Sequence, residues 1–268
     1  MGIDVNKLRS KEVLTKFDQN ATIEKLEQIP EKLIQFSASS TIKYCLNKKF
    51  RAKSEPSARV LNNWIEKGLV QVSPDDKGKI KRFDKIESIW INIIIELRSF
   101  GVSIPSLLRT RKILFDYLLG EFSLIKFQFL NAILLESQVL IVYKDGGARI
   151  LSSKNYQAIA LKSQLLPHIR LDLDLFIKPE YPNNTLDKIS LLSLPFDSIE
   201  KIKLLFFLRT GDYQFLKVKI TENDIRYIEH YDMLLQSDDV IQSIENWSFS
   251  EILVSIDEEN STIINGKK

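Results

Sequence analysis

Residues 57–107 contain the most informative pattern of the chain: SARVLNNWIEKGLVQVSPDDKGKIKRFDKIESIWINIIIELRSFGVSIPSL. The first part predicts a short helix with one apolar stripe at helical spacing, formed by Val60, Leu61, Trp64 and Ile65. Gly68 then ends the helix, because glycine adopts a left-handed cap without steric cost. The stretch continues with a basic hairpin and a second amphipathic helix, which is the order of a helix-turn-helix followed by a wing.

Polar residues mark where both helices begin. Ser54, Pro56 and Ser57 precede the first helix, and a proline at a helix start loses no hydrogen bond. Asp84 precedes the second helix, with Glu87 three residues later at the spacing of a capping box. The first helix leaves polar side chains off its apolar stripe, facing water or DNA: Arg59, Asn62, Asn63 and Glu66. Taken alone, it is equally typical of an amphipathic surface helix.

The segment between the helices predicts the wing. Leu69, Val70 and Val72 indicate a strand, residues 74–78 a turn, and Ile80 to Phe83 the returning strand. Four cations crowd this hairpin: Lys77, Lys79, Lys81 and Arg82. Because like charges this close repel each other, the pattern favours a polyanion such as a phosphate backbone nearby. A solvated, charged loop tip is the alternative.

The order of these features resembles the N-terminal DNA-binding domain of MerR-type regulators over residues of about 40–110. The matching features are Arg59-Val60-Leu61, Trp64, Gly68-Leu69, Gly78, Arg82-Phe83, Asp84 and Gly101-Val102-Ser103-Ile104. The resemblance implies a winged helix-turn-helix that binds double-stranded DNA. The family usually has arginine and tyrosine, which reach the DNA backbone, where this chain has Asn62 and Asn63. Asparagine can instead read adenine through two hydrogen bonds.

A basic segment precedes the predicted recognition helix. We interpret Lys48, Lys49, Arg51 and Lys53 as further phosphate contacts, with a solvated loop as the equal alternative. The whole chain carries a net charge of only +3, but this charge is unevenly distributed. Residues 41–85 hold 12 Lys and Arg against 5 Asp and Glu, a net charge of +7, whereas residues 181–268 hold 9 against 15, a net charge of −6. Only the basic part is therefore expected to meet DNA.

The 268 residues predict a mostly helical winged helix-turn-helix followed by a C-terminal domain, and an α+β fold overall. We expect a polar helical leader over 1–35, the MerR-like domain over 36–119, an α+β effector or oligomerisation domain over 121–256, and a disordered tail over 257–268. Asp145-Gly146 is the strongest hairpin signal of the C-terminal domain. Asp197 and Glu200 indicate another capping box, before an apolar helix that ends near Gly211.

The family's dimerisation coiled coil is not expected here. Gly120 ends the helix predicted over 105–119, and residues 122–135 are apolar on nearly every side, which is typical of a buried helix. A homodimer would then form through residues 121–256.

The sequence indicates no catalytic residue, no cofactor and no metal. Asp172 and Asp174 share a predicted strand face and could bind a cation, although a solvated edge is the more common reason for such a pattern. The single cysteine, Cys45, excludes an internal disulfide and is expected to be a buried, inert thiol. With no apolar leader and no membrane-length apolar run, the chain is expected to be cytoplasmic.

These observations favour sequence-specific binding of double-stranded DNA by a bacterial, plasmid or phage transcriptional regulator that is not an enzyme. A winged-helix module that binds proteins without DNA is the alternative, because fold alone does not settle function. The predicted DNA-binding residues are Lys48, Lys49, Arg51, Lys53, Ser57, Arg59, Asn62, Asn63, Lys77, Lys79, Lys81 and Arg82.

Overall fold

The computed structural model describes residues 11–49, 56–72, 81–162, 165–181 and 197–266. Its architecture is α+β with antiparallel sheets, as the sequence predicted. The described part of the first half is mainly helical: α1 (Lys11–Glu27), α2 (Glu31–Ser37), α3 (Ser40–Asn47), α4 (Ala58–Glu66), α5 (Lys85–Ser99) and α6 (Ile104–Phe115). Most of the strands lie in the second half.

Serine and aspartate side chains cap the N-termini of four helices in and next to residues 57–107. Ser39, Ser57, Asp84 and Ser103 each accept a hydrogen bond from a backbone N–H in the first turn of the helix that follows. Asp84 accepts from the N–H of Glu87 at 2.8 Å, as the capping-box spacing predicted. The Glu87 side chain, however, turns inward to other partners described below.

The second half alternates helices and strands. Its helices are α7 (Leu124–Leu134), α8 (Ser153–Leu161), α9 (Asp174–Ile177), α10 (Ile199–Thr210), α11 (Tyr231–Leu235) and α12 (Asp238–Glu245). Its strands are β1 (Leu118–Leu119), β2 (Phe122–Ser123), β3 (Gln138–Tyr143), β4 (Ala148–Ser152), β5 (His168–Asp172), β6 (Phe215–Thr221), β7 (Asp224–Ile228), β8 (Glu251–Ser255) and β9 (Ser261–Asn265). The cap of α10 is Ser198 rather than the predicted Asp197, whose carboxylate instead pairs with Lys201 at 2.8 Å.

The strands form three antiparallel sheets. β1 and β2 make a short hairpin around Gly120, β4-β3-β5 make a three-stranded sheet, and β7-β6-β8-β9 make a four-stranded sheet. The predicted hairpin at Asp145-Gly146 is formed, and β6 and β7 form a second antiparallel hairpin.

One hydrophobic core runs through both halves of the chain. Its buried members extend from Leu26 to Ile264, so the predicted boundary between residues 119 and 121 does not separate two cores. Helix α10 is buried on nearly every side, and its Phe206 ring lies 5.9 Å from the ring of Phe36 on α2. The predicted leader therefore contributes to this core, because Leu26, Ile29 and Leu33 are buried in it.

A buried polar junction also joins the halves. Lys85, at the start of α5, is only 3% exposed and pairs with Asp212, which follows α10, at 3.1 Å. Its ammonium lies 3.9 Å from the centroid of the Tyr181 ring. Burial lowers the pKa of Lys85, and the carboxylate of Asp212 opposes that shift. Ser88 donates to Glu180 at 2.8 Å beside it.

The structure corrects two predictions about strands. Residues 261–265 are not a disordered tail but form β9, which pairs with β8 and places Ile264 in the core. This pairing provides the backbone hydrogen bonds and apolar burial that the local sequence did not reveal. Leu69 and Val70 form no wing strand, because they lie buried in a bend after α4. The turn of the predicted wing, with Lys77 and Lys79, lies outside the described residues.

The β3–β4 turn packs directly on α6. Thr110 donates its hydroxyl proton to the carbonyl of Gly146 at 2.9 Å, and Ser106 donates to the carbonyl of Lys144 at 3.2 Å. Arg109 bridges Asp145 to Asp18 of α1, at 2.6 and 2.8 Å. The left-handed backbone of Gly146 and its closeness to α6 leave no room for a side chain: a Cβ there would lie 2.1 Å from the Ser106 carbonyl oxygen.

We predict that Gly146→Ala destabilises the protein much more than Gly120→Ala. Both glycines have positive φ, but a Cβ on Gly120 would meet no atom within 4 Å. Gly120→Ala should therefore cost only the left-handed strain of about 1–2 kcal/mol, whereas Gly146→Ala must also push the hairpin off α6. Urea unfolding of both variants measures the difference. Equal losses would show that the turn does not pack on α6 in solution.

Candidate nucleic-acid interface

Helix α4 has defined ends. Ser57 accepts a hydrogen bond from the N–H of Val60 at 3.4 Å, so its hydroxyl caps the helix. At the other end Gly68 has φ +73°, and the N–H of Leu69 donates to the carbonyl of Trp64 at 2.8 Å. This is the glycine-dependent helix end that the sequence predicted.

The two faces of α4 differ in exposure. Leu61 and Trp64 are buried in the core. The polar side chains predicted to lie off the apolar stripe are all exposed: Arg59, Asn62, Asn63 and Glu66. Val60, which the sequence placed on the apolar stripe, is instead 39% exposed. Helix α4 thus presents one arginine and two asparagines to solvent from a fixed base.

That base depends on the carbonyl of Leu69, just after α4. The carbonyl accepts hydrogen bonds from the Trp90 indole N–H of α5 at 2.8 Å and from the Arg111 guanidinium of α6 at 3.2 Å. Arg111 also pairs with Glu87 of α5, and the backbone N–H of Gln71 donates to the same carboxylate at 3.2 Å. The loop that leaves α4 is therefore tied to two other helices.

The Glu87–Arg111 pair is buried. Its side chains are 10% and 5% exposed, and the guanidinium carbon of Arg111 lies 4.2 Å from the centroid of the Phe115 ring. Burial raises the pKa of Glu87, and the charge of Arg111 opposes that shift. The pair provides a second hydrogen bond to the buried Leu69 carbonyl, beside that of Trp90, and an acceptor for the Gln71 backbone N–H.

Lys81, in the returning segment of the predicted wing, contacts α4. Its ammonium donates to the Oδ1 atom of Asn62. This hydrogen bond uses the amide oxygen of Asn62 and not its amide N–H groups. The neighbouring Arg82 is exposed. The structure therefore places Lys81, Asn62 and the other exposed polar residues of α4 on one surface.

The basic segment before α4 is only partly described. Arg51 and Lys53 lie outside the described residues, and Lys49 is exposed. Lys48, predicted to contact phosphate, instead pairs with Asp257 in the β8–β9 turn at 3.3 Å. A hydrogen bond from the Tyr44 hydroxyl holds the pKa of Asp257 well below its usual range, and the same contact raises the pKa of Tyr44 to about 12. Lys48 thus has an internal carboxylate partner that local sequence could not show.

An open groove of about 940 Å³ runs beside α4. Arg59, Asn63 and Glu66 line one side, and Arg98 and Ile104, from the end of α5 and the start of α6, line the other. Arg98 was not among the predicted site residues. The sequence could place Arg98 in the last turn of α5. That Arg98 lies at this groove follows only from the packing of α5 against α4.

The other candidates have ordinary partners. Asp172 pairs with Arg170 at 2.7 Å, and Asp174 accepts a hydrogen bond from Ser137, so the two carboxylates do not converge on a shared site. Among the described residues, no three His, Cys, Asp or Glu side chains form a metal-binding group. Cys45 is buried, as predicted, and burial raises the pKa of its thiol to about 12.

Comparison with protein-family models, with curated proteins and with solved structures gave no match to this chain. Within the described ranges, the helices are too short or too polar to cross a membrane.

We predict that Arg111→Ala lowers the free energy of unfolding by about 3–5 kcal/mol, because it leaves the Glu87 carboxylate buried without its cation. The double variant Glu87→Met/Arg111→Leu should lose less than Arg111→Ala, since it removes both buried charges. Lys112→Ala, at an exposed position on the same helix, is the control, with an expected change within about 0.5 kcal/mol. Urea unfolding at neutral pH measures all three. If Arg111→Ala behaves like Lys112→Ala, the buried pair does not hold α4 in place.

Proposed function

We propose that this chain binds double-stranded DNA in a sequence-specific manner through a MerR-like winged helix-turn-helix, as a bacterial, plasmid or phage transcriptional regulator in the cytoplasm. The observation that supports this most is the surface of α4. Its exposed Arg59, Asn62 and Asn63 project from a helix that the buried Glu87–Arg111 pair fixes in position. A rigid helix with protruding hydrogen-bonding side chains suits the major groove.

The proposed roles differ along α4. Arg59 lies in its first turn, where recognition helices place residues that contact base edges, and arginine pairs with guanine through two hydrogen bonds. Asn63 is exposed and can read adenine with both its amide atoms. Asn62 already accepts a hydrogen bond from Lys81, so it can read a base with both atoms only if Lys81 moves to a phosphate. We therefore assign base reading first to Arg59 and Asn63.

The flanking cations are proposed to hold the DNA backbone. Among the described residues, Lys49 precedes α4 in the chain and Lys81 and Arg82 follow it, and Arg51, Lys53, Lys77 and Lys79 add to this charge in the sequence. Lys48 is left out of this set because of its Asp257 partner. Ser57 is assigned to capping α4 rather than to DNA.

A module that binds a protein instead of DNA is the second candidate. It is favoured by the asparagine pair in place of the family's arginine and tyrosine, and by the internal partners of Lys48 and Lys81. The two functions differ in their dependence on salt, because DNA binding releases counterions from the phosphates. In neither case do we assign a catalytic role. The C-terminal part would serve oligomerisation or ligand sensing.

We predict that the affinity of the full chain for duplex DNA falls steeply with salt, with a log–log slope of magnitude about 4–8, as several phosphates are neutralised. Fluorescence anisotropy with labelled random and genomic fragments, from low to physiological salt, measures this slope. Absence of binding at low salt, or a flat response, would contradict DNA binding and favour the protein-binding alternative.

We predict that variants of α4 and variants of the flanking cations differ in how their effect on affinity depends on the DNA sequence. Asn63→Ala should cost roughly 1–3 kcal/mol on the cognate site and little on random DNA. Lys79→Ala or Lys81→Ala should weaken both and lower the salt slope by about one. Lys154→Ala, an exposed cation on α8, is the matched control and should change neither. Identical effects of the two groups on cognate and random DNA would show that these roles are assigned wrongly.

A further inference from the structure

The four-stranded sheet has one buried and one open face. Leu216, Val218, Ile252 and Val254 point into the main core, together with Ile264. Side chains on the opposite face alternate with them along each strand, because successive residues of a strand point to opposite sides. We call this second side the outer face, formed by Ile225 and Tyr227 of β7, Phe215, Lys217 and Lys219 of β6, Glu251, Leu253 and Ser255 of β8, and Ser261, Ile263 and Asn265 of β9.

The outer face carries five apolar side chains among its eleven, and three of them are more than 40% exposed. Tyr227 is 57% exposed, Ile263 49% and Ile225 41%, and they are accompanied by the half-buried Phe215 and Leu253. The strand register gathers them into one patch, with Tyr227, Lys217, Leu253 and Ile263 in a single row across the four strands. Exposed apolar side chains held side by side in this way, with Lys217 between Tyr227 and Leu253, are typical of an interaction surface.

We propose that the outer face is a homodimer interface and that a second copy of this chain covers it. This inference rests on the proposed function, because one winged helix reads only a few base pairs and specificity normally requires two copies on a two-fold site. A two-fold interface must be complementary to itself, so its charges must match after rotation. The register of the outer face allows that condition to be checked.

Rotation about an axis that lies in the interface, parallel to the strands and between β6 and β8, satisfies the condition. It sets β6 against β8 of the second copy, and β7 against its β9. Lys219, which pairs with Glu222 of its own chain at 2.8 Å, then also faces the partner's Glu251, and Tyr227 faces the partner's Ile263. The methylene stem of Lys217 covers the partner's Leu253, as lysine stems commonly cover apolar surface.

The charges exclude the other simple face-to-face arrangement. An axis perpendicular to the strands through the central row would set each strand against itself and bring Lys217 onto its own copy. Two ammonium groups in the centre of an interface repel each other, and such like-charge contacts cost enough to reject a wrong arrangement. The positions of Lys217, Lys219 and Glu251 therefore select the axis parallel to the strands.

The size of the face predicts a weak dimer. Four strands of about five residues form a face whose length and width are each roughly 15–20 Å. Interfaces this small belong to the low end of the size range and are transient in solution. Two adjacent half-sites on DNA would raise the effective concentration of the second copy and complete the pairing.

The test uses two single charge reversals in the full chain. In Lys219→Glu, each copy sets a glutamate against the partner's Glu251. In Glu251→Lys, each sets a lysine against the partner's Lys219. Light scattering at about 100 µM should detect a dimer fraction for the unaltered chain, whose monomer mass is 31.1 kDa. Under the same conditions both variants should be monomeric.

An equimolar mixture of the two variants should recover the dimer, because both contacts across the interface are again between opposite charges. Within each chain Lys219 and Glu251 lie opposite each other on β6 and β8, while the Lys219 ammonium pairs with Glu222 of the same chain at 2.8 Å. The mixture does not restore that internal pair in the Lys219→Glu chain. Recovery therefore reports only on contacts between chains. Lys154→Glu, on the exposed side of α8, is the matched control and should behave like the unaltered chain.

Three results would overturn the proposal: a monomeric unaltered chain, single variants that still dimerise, or a mixture that stays monomeric. Dimerisation of both single variants would indicate pairing through another surface, such as the edge of β9. Circular dichroism checks that the variants fold, and Ile263→Ser offers a second, uncharged route to the same loss of dimer. A dimer that binds no DNA would refute the proposed function alone, whereas a monomer that binds DNA with a steep salt slope would refute only this interface.

Discussion

The carbonyl group of Leu69 is the point on which the candidate interface depends. It lies just after α4, is buried, and takes hydrogen bonds from Trp90 and Arg111 on two other helices. Arg111 is in turn held by Glu87, so the buried ion pair and the backbone of one loop form a single network. Buried networks of this kind specify one arrangement of their helices, since each unmade hydrogen bond inside a protein is costly. The exposed face of α4 is consequently presented in one fixed orientation.

Helices α5 and α6, which hold the Leu69 carbonyl, also contact the rest of the molecule. Helix α6, which carries Arg111, also receives the β3–β4 turn at Gly146 and, through Arg109, the first helix. Lys85 of α5 pairs with Asp212 beyond α10, and Phe36 meets Phe206 inside the common core. The helices of the N-terminal half and the sheets of the C-terminal half share one core rather than forming independent units.

The sequence predicted local structure where a local cause exists. Ser57 and Gly68 mark the two ends of α4. The sequence could predict both ends because an N-cap hydroxyl and a left-handed glycine act over only a few residues. Asp145-Gly146 fixed the β3–β4 hairpin for the same reason, and the apolar character of residues 199–210 identified a buried helix. Composition and alternation were likewise enough for the α+β class.

Tertiary structure alone decided what contacts distant parts of the chain. Glu87 looked like half of a capping box, yet its carboxylate meets Arg111, 24 residues away in the chain. Lys48 looked like a phosphate contact, yet it pairs with Asp257, 209 residues away. Residues 261–265 looked like a tail because a strand at the edge of a sheet derives its stability from the neighbouring strand rather than from its own sequence. Helix caps, turns and apolar faces thus follow from neighbouring residues. The partners of charged side chains and edge strands depend on packing, because their interaction energies are set by which distant groups share the same buried space.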